Sequence, residues 1–330
     1  MIPAHLGAGS VPDPGAPHLS LWNSEGFYAL NPEAAEHRVQ IDHHDDTGRL
    51  VGSFVAARID DVLVSGFGAP LGGVDFVRDD EIPRHVVHLL RTVFEAAAAA
   101  GARRVEVRMK PPHHGAAEAA LAFALFELGA QAELANLNFF VDVGRLDQGG
   151  AGLTPRAAKA ARRAAEAGAR VELLAPDDEA EWATAYEVLE RNRVEKGRPM
   201  RLSLEYIRRI RDHFGPLVRM HALRDGDGAM VAAALLYRTA ACHDVVQYWG
   251  DVGASGPVSP MPLLARELFT AAKAAGASVV DLGIATSDGQ PNHGLVQFKR
   301  SVGAQSELRL EVAADVDSVL RSPRWTRLDA

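Results

Sequence analysis

Cysteine is almost missing from this chain: Cys242 is the single one among 330 residues. An intrachain disulfide framework and a cysteine-based zinc site are thereby excluded. Aromatic residues are sparse, at 6%. No apolar run approaches the roughly 20 residues of a membrane helix, so no span is expected. Positive charge is also in deficit, with 35 Lys and Arg against 43 Asp and Glu and a net charge of −8. That balance argues against a protein that wraps a polyanion with its whole surface, and leaves room for a local basic patch. The start, Met1-Ile-Pro-Ala-His-Leu-Gly-Ala-Gly-Ser10, carries neither a basic n-region nor an apolar h-region. No secretory signal is read there, and a reduced, cytoplasmic setting is expected.

What is present is an ordinary soluble composition, 47% hydrophobic and 24% charged. The length allows one large domain or two of about 150 residues. Two stretches punctuate the chain: a start rich in proline and glycine (Pro3, Pro12, Pro14, Pro17, Gly7, Gly9, Gly15) and the break Asp147-Gln-Gly-Gly-Ala-Gly152. They suggest a segment 1–36, a first domain 37–150 and a second domain 151–330.

An internal repeat gives the organisation more sharply. Leu89-Leu-Arg-Thr-Val-Phe-Glu-Ala-Ala-Ala-Ala-Ala-Gly-Ala102 matches Leu264-Ala-Arg-Glu-Leu-Phe-Thr-Ala-Ala-Lys-Ala-Ala-Gly-Ala277 position for position at leucine, arginine, phenylalanine, most alanines and glycine. Leu89, Val93, Ala96, Ala97, Ala100 and Leu264, Leu268, Ala271, Ala272, Ala275 each form one buried stripe of a helix, which Gly101 or Gly276 ends. A strand follows each copy, Arg104–Met109 and Ser278–Leu282. Upstream, Val39–Asp42, Leu50–Ala57 and Val62–Gly66 read as strands, as do Leu217–Leu223, Met230–Tyr237 and Asp244–Trp249. Each half is thus strand, turn, strand, strand, loop, helix, strand: an α/β chain with an internal duplication, built on mixed, mostly antiparallel sheets flanked by helices.

Several strings accompany that order. They are Gly68-Ala-Pro-Leu-Gly-Gly73, the basic stretch Thr154–Arg170, Asn192-Arg-Val-Glu-Lys-Gly-Arg-Pro199 with Ser203-Leu-Glu-Tyr206, and finally Asp281-Leu-Gly283, Gly294-Leu295 and Phe298-Lys-Arg-Ser-Val-Gly303. Together they resemble the FemABX group of transferases, in which two GNAT-like domains follow one another in one chain. The likeness covers roughly residues 38–312. Val302 departs from it, since a larger hydrophobe is usual there, and the helical arm of some members is missing.

The resemblance implies attack of an amine on an activated acyl carbonyl. Aminoacyl-tRNA would be the donor, and a cell-wall precursor, a peptide or a natural-product intermediate the small-molecule or peptide acceptor. Lys299, after Phe298, becomes the leading catalytic residue, because a fixed cation stabilises the oxyanion of a tetrahedral intermediate. His293 is a candidate base, since an unperturbed histidine titrates near neutral pH, with Asp251 and Asp288 as alternatives. Asn292 and His293 fall in Ser287–Gly294, which reads as a flexible stretch that could cover the site. Gly68, Gly72 and Gly73 either make a tight turn or let an acceptor approach the backbone. Tyr248 and Trp249, with Gly250 and Asp251, form either a flat wall for a substrate or a half-buried aromatic pair.

Arg156, Lys159, Arg162 and Arg163 are the densest basic stretch, read as phosphate or RNA contacts or else as a solvated helix face. Gln247 and Gly250 only partly fit the pyrophosphate loop of CoA-dependent GNAT domains, whose helix is expected to open at Ser259-Pro260. Gly66–Gly73 does not fit a dinucleotide fingerprint. The pairs His43-His44 and His113-His114 read as loop residues, so no metal and no bound cofactor are expected. The expectation is an N-acyltransferase using aminoacyl-tRNA. Its alternatives are an acyl-CoA-dependent N-acyltransferase and a non-catalytic tandem-GNAT binding protein. The oligomeric state stays open.

Overall fold

A computed structural model describes residues 18–31, 35–77, 83–146, 152–252, 259–287 and 289–328. Most of the Pro/Gly-rich start, residues 147–151 of the mid-chain break and Asp288 lie outside them. The elements run in the order α1 (Glu25–Ala29), β1 (Arg38–His44), β2 (Leu50–Ile59), β3 (Val62–Ser65), β4 (Val74–Phe76), α2 (Pro83–Ala99), β5 (Arg104–Arg108), α3 (Ala117–Glu127) and β6 (Gln131–Asp142). There follow α4 (Pro155–Glu166), β7 (Arg170–Leu173), α5 (Glu179–Glu195), α6 (Leu204–Phe214), β8 (Val218–Arg224), β9 (Met230–Ala240), β10 (His243–Asp251), α7 (Met261–Ala274) and β11 (Val279–Ile284). The chain closes with the two-residue strands β12 (Thr286–Ser287) and β13 (Gln290–Pro291), then α8 (His293–Ser301), β14 (Gln305–Asp315), α9 (Val316–Leu320) and α10 (Trp325–Leu328). Among the described residues no helix is long and apolar enough to cross a membrane.

Two compact units emerge. The first comprises residues 18–137 with Thr286–Gln290 and the chain from Glu307 on; the second comprises Asn138–Ala285 with Pro291–Ser306. In the first, the strand order is β1-β2-β3-β5-β14, with β4 paired to β2. Neighbours are antiparallel except β3 and β5, which run parallel. In the second, β6, β11, β10, β9, β8 and β7 follow one another, and only the β10–β11 pair is parallel. Each unit therefore has three consecutive antiparallel strands (β1–β3 or β8–β10), a helix, a parallel strand and one outer antiparallel strand, and the second unit adds β7 at the edge. The outer strand beside the parallel one does not follow in sequence: Asn138–Asp142 completes the second unit and Glu311–Asp315 completes the first.

The repeated helix explains itself twice. Leu89, Val93 and Ala97 of α2 and Leu264, Leu268 and Ala272 of α7 are all buried. Each fully buried leucine or valine contributes about 1.5–3 kcal/mol. Both helices end in the same way. The N–H of Ala102 reaches the carbonyl of Ala97 and that of Ala277 reaches Ala272, each at 2.9 Å. Gly101 (φ 75°) and Gly276 (φ 83°) take the left-handed conformation that this closure needs. The predicted stripe is one turn too long, because Ala275 lies beyond the last turn of α7 and is exposed. Helix α7 likewise opens at Met261, one residue later than expected: Pro260 takes the cap position, and Met261 N–H donates to Ser259 Oγ at 3.3 Å.

Candidate active site

In the second unit the two parallel strands pair only at their beginnings. His243, Asp244 and Val245 of β10 face Val279, Val280 and Asp281 of β11, after which pairing stops, although β10 runs on to Asp251 and β11 to Ile284. The cause is visible in β10. Its register against β9 skips Gln247, with Val246 opposite Leu236 and Tyr248 opposite Leu235. Such a bulge bends and twists a strand away from its neighbour. The closed end of this fork is fixed by charge. Asp244 is wholly buried and pairs with Arg238 Nε and Arg219 Nη2, each at 2.5 Å.

The arm made by β11 carries an irregularity of its own. Gly283 has φ 74°, and the register against β6 shifts between Asp281 and Gly283. Buried Asp281 accepts the N–H of Gly283 at 2.6 Å and Asn138 Nδ2 at 3.1 Å. Lys299, on α8, is buried to 1% exposure. Its ammonium donates to the carbonyls of Gly283 and Ile284, both at 2.8 Å, and lies 5.5 Å from the centroid of the Phe139 ring. Lys299 is thus a cation held inside the second unit, at the free end of β11.

Asn292 and His293 do not belong to a flexible loop, contrary to the expectation. Asn292 caps α8, its side-chain oxygen accepting the N–H of Leu295 at 3.0 Å. His293 is the first residue of that helix and is exposed. An asparagine before an apolar-periodic run suits a helix cap, a signal that the sequence reading did not use. Trp249 on β10 meets Phe298 of α8 edge-on, with ring centroids 5.2 Å apart, which brings the aromatic strand residue to the Phe-Lys string. Tyr248 is buried, with the Arg193 guanidinium 4.9 Å from its ring centroid. Gly250 and Asp251 meet α5: Asn192 Nδ2 donates to the carbonyl of Asp251 at 2.5 Å.

Arg156, Lys159, Arg162 and Arg163 lie exposed on α4, whose buried face of Ala157, Ala161 and Ala164 packs toward α7. Arg162 also pairs with Glu166 at 3.6 Å.

Gly68, Gly72 and Gly73 belong to the first unit, where the equivalent position looks different. There β3 pairs with β5 over its full length, Val62 to Ser65, and the chain folds back over the end of that pair. Gly72 N–H donates to Arg108 O at 2.7 Å, Gly73 N–H to Ser65 Oγ at 2.7 Å, and Arg108 Nη1 to the carbonyls of Gly66 and Ala69 at 2.9 and 3.0 Å. A Cβ on Gly72 would stand 2.2 Å from the nitrogen of Gly66. Of the two readings of these glycines, a tight turn or an approach for an acceptor, the structure shows a turn whose own backbone and side chains engage the amides of Gly72 and Gly73. In the first unit the loop's own backbone covers the end of the parallel pair; in the second, residues 253–258, which follow β10, lie outside the described residues.

Sequence reasoning quoted Gly66, Gly283, Asn192 and Arg193 within its strings but gave none of them a role at the site. The signal for Gly283 was present in Asp281-Leu-Gly283, since Asp followed two residues later by Gly suits a side chain that caps its own turn.

Comparison with known proteins places this geometry. The acetyltransferase (GNAT) domain family matches residues 155–300, which contain the forked strands. Over the whole chain the fold is similar to the crystal structure of FemX, with a TM-score of 0.67 and 13% identity, covering 91% of this chain and 93% of FemX. It is also similar to the structure of L-PGS from Bacillus licheniformis, with a TM-score of 0.53 and 15% identity, covering 97% and 96% of the two chains. Among curated proteins none matches the chain in sequence. The fold is FemABX-like, with GNAT-type architecture.

Proposed function

We propose that this FemABX-like chain is an N-acyltransferase that takes an aminoacyl group from aminoacyl-tRNA and forms an amide on an amine acceptor, with its site at the fork between β10 and β11. The observation that carries the reading is the fork itself, found in the unit that matches the GNAT domain. Two parallel strands that separate expose backbone N–H and C=O groups to an incoming amide-like substrate, which can pair with them as a further strand would.

In the reaction the acceptor nitrogen bonds to the acyl carbon, the ester C–O bond breaks, and the leaving ribose oxygen takes up the proton that the amine loses. Lys299 places positive charge beside the carbon that turns tetrahedral. The buried surroundings strengthen that charge, since less water screens it. His293, exposed at the start of α8, relays the proton. Trp249 and Phe298 wall the fork and exclude water from the reacting carbonyl. The basic face of α4, with Arg156, Lys159, Arg162 and Arg163, attracts the phosphates of the donor.

A second reading, with acyl-CoA as donor, draws on the acetyltransferase description of the matching family. One experiment separates the two. The protein is incubated with charged tRNA pools and, separately, with acyl-CoAs, in the presence of candidate amines, and products are read by mass. An aminoacylated amine formed only with charged tRNA is expected. Product formed only with acyl-CoA selects the second reading, and no product with any donor despite ligand binding overturns both in favour of a non-catalytic binding protein.

A further inference from the structure

The first unit carries a group of imidazoles that the proposed reaction does not use. On β1, alternate residues turn toward the core. Val39 packs against it, Ile41 belongs to it, and His43 takes the next place in the same row. Contrary to the expectation of a loop, His43 thus lies on the strand, half-buried. On α2, Val86, Leu89, Leu90 and Val93 form the buried stripe, and His85, His88 and Thr92 border it at i, i+3 and i+7. That border meets the end of β1. Thr92 Oγ1 lies 3.3 Å from His43 Nδ1, and the rings of His43 and His88 stand edge to face with centroids 6.3 Å apart. Burial lowers the pKa of His43, and His88, His85 and His44 lower it further, while Asp45 acts in the opposite sense. Both helical rings are therefore within electrostatic reach of the strand one.

Two features single these rings out. The Nδ1 of His85 is enclosed and, among the described residues, has no hydrogen-bond partner, a costly state for a nitrogen shielded from water. His43 in turn meets the Thr92 hydroxyl through one ring nitrogen, the kind of contact that orients a histidine whose other nitrogen holds an ion. The place in the fold matters as well. Strand β1 is the edge of the unit, paired on one side only, with β2.

We propose that His43, His85 and His88 form a binding site for zinc(II) or a related divalent transition ion, which staples the edge strand β1 to α2. Imidazole nitrogen is a ligand that such ions accept readily. His85 and His88, three residues apart on one side of the helix, grip the ion together, His43 closes the set from the strand, and water completes a tetrahedral sphere. With Zn–N bonds of about 2.0–2.1 Å, two rings on one ion have centres about 5 Å apart, so His43 and His88 must approach by about 1 Å. Rotation of half-buried side chains between rotamers covers that distance. A metal bond also supplies the partner that the enclosed nitrogen of His85 lacks.

The test uses the full, untagged chain, stripped of metal with a chelator and titrated calorimetrically with zinc. Cobalt(II) serves as a second probe, since its visible absorption reports a tetrahedral site. The wild type is compared with His85→Gln, with His88→Gln, with the double variant, and with two controls, the exposed His37→Gln and His114→Gln in the other histidine pair. We expect one zinc ion per chain, bound at least tenfold more weakly by each single variant, undetectably by the double, and unchanged in both controls. Zinc should raise the thermal midpoint of the wild type and leave that of the double variant where it was. His43→Gln should weaken binding in the same way; if loss of its packing unfolds the chain, the helical variants carry the test. No stoichiometric binding by the wild type overturns the site, and so does equal binding by the double variant. Binding lost in His114→Gln instead moves the ion to the other pair and overturns the assignment as well. None of these readings depends on transfer activity, so the site stands or falls apart from the proposed reaction.

Discussion

Asp281 and Lys299 hold opposite ends of one residue: the Asp281 carboxylate accepts the N–H of Gly283 at 2.6 Å, and the Lys299 ammonium donates to its carbonyl at 2.8 Å. Gly283 has φ 74°, a conformation that side chains rarely allow, so the clamp and the glycine depend on each other. The lysine is therefore a positioning residue for the free arm of the fork as well as the source of its positive charge.

Replacing Lys299 should show both roles. Lys299→Met keeps most of the volume but orphans the carbonyls of Gly283 and Ile284, at about 1–3 kcal/mol each if they stay buried. In denaturant titration the midpoint should fall, and turnover of the protein still folded should drop by about 10²–10³-fold, as when an oxyanion-stabilising donor is removed. Lys299→Arg should recover part of the stability and less of the rate, because a planar guanidinium does not point both donors as the ammonium does. A methionine variant with unchanged midpoint and unchanged turnover would remove both roles.

The two strings that meet in this clamp, Asp281-Leu-Gly283 and Phe298-Lys299, stand out in the sequence separately, and nothing in their spacing says that they touch. Strand and helix identities were legible because the apolar period is regular: α2 and α7 bury the leucines expected of them. A mixed sheet was expected, and its parallel members are the pairs β3–β5 and β10–β11, where a helix between two strands favours a parallel crossover. Three things were hidden. Asn138–Asp142 pairs with β11 rather than with a sequence neighbour, which local pattern does not encode. The bulge at Gln247 leaves no mark in an otherwise regular strand. Arg193 looks like any exposed helical arginine until the chain places Tyr248 beneath it.

Stability should fall on mild acidification, and His221 is the reason. It lies on β8 at 5% exposure, and its pKa is lowered to about 4, first by burial and then by Arg219, with Asp244 acting in the opposite sense. Unfolded, a histidine titrates near 6.5. Between pH 6.5 and 4 the unfolded chain binds a proton that the folded chain refuses, so stability is complete above that window and declines as pH falls through it. The loss should approach about 3 kcal/mol at pH 4, the equivalent of the full shift. Urea midpoints measured from pH 7 to pH 4 should slope downward in the wild type and flatten in His221→Asn. An equal slope in both would assign the effect to other groups.

The glycine-rich loop of the first unit separates two kinds of glycine. Gly68 has φ 69° and open space for 4 Å around the point where a Cβ would stand, whereas a Cβ on Gly72 would meet the backbone of Gly66 at 2.2 Å and of Ser65 at 2.5 Å. Gly68→Ala should cost about 1–2 kcal/mol, the strain of a left-handed alanine. Gly72→Ala meets backbone that has nowhere to go, and should cost at least the ~3 kcal/mol upper range of overpacking. Thermal midpoints of the two variants, taken together, test this ordering. If the two fall equally, the loop is looser than its hydrogen bonds indicate.

The junction of α5 with β10 offers a test in which one substitution rescues another. Gly250 lacks a side chain because Asn192 occupies the space: a Cβ there would lie 2.5 Å from both Cγ and Oδ1 of Asn192. Gly250 does not show the positive φ of Gly68 or Gly283, so an alanine would be opposed by crowding alone. Gly250→Ala should push Asn192 aside and break its bond to the carbonyl of Asp251, costing about 1–3 kcal/mol. Asn192→Ala loses the same bond, at about 1 kcal/mol or more, but opens the space. The double variant should then be more stable than the sum of the two single effects predicts, with a coupling of about 0.5–3 kcal/mol. Strict additivity of the stabilities would mean that Asn192 already yields to a methyl group, and that the end of β10 is held by something other than this contact.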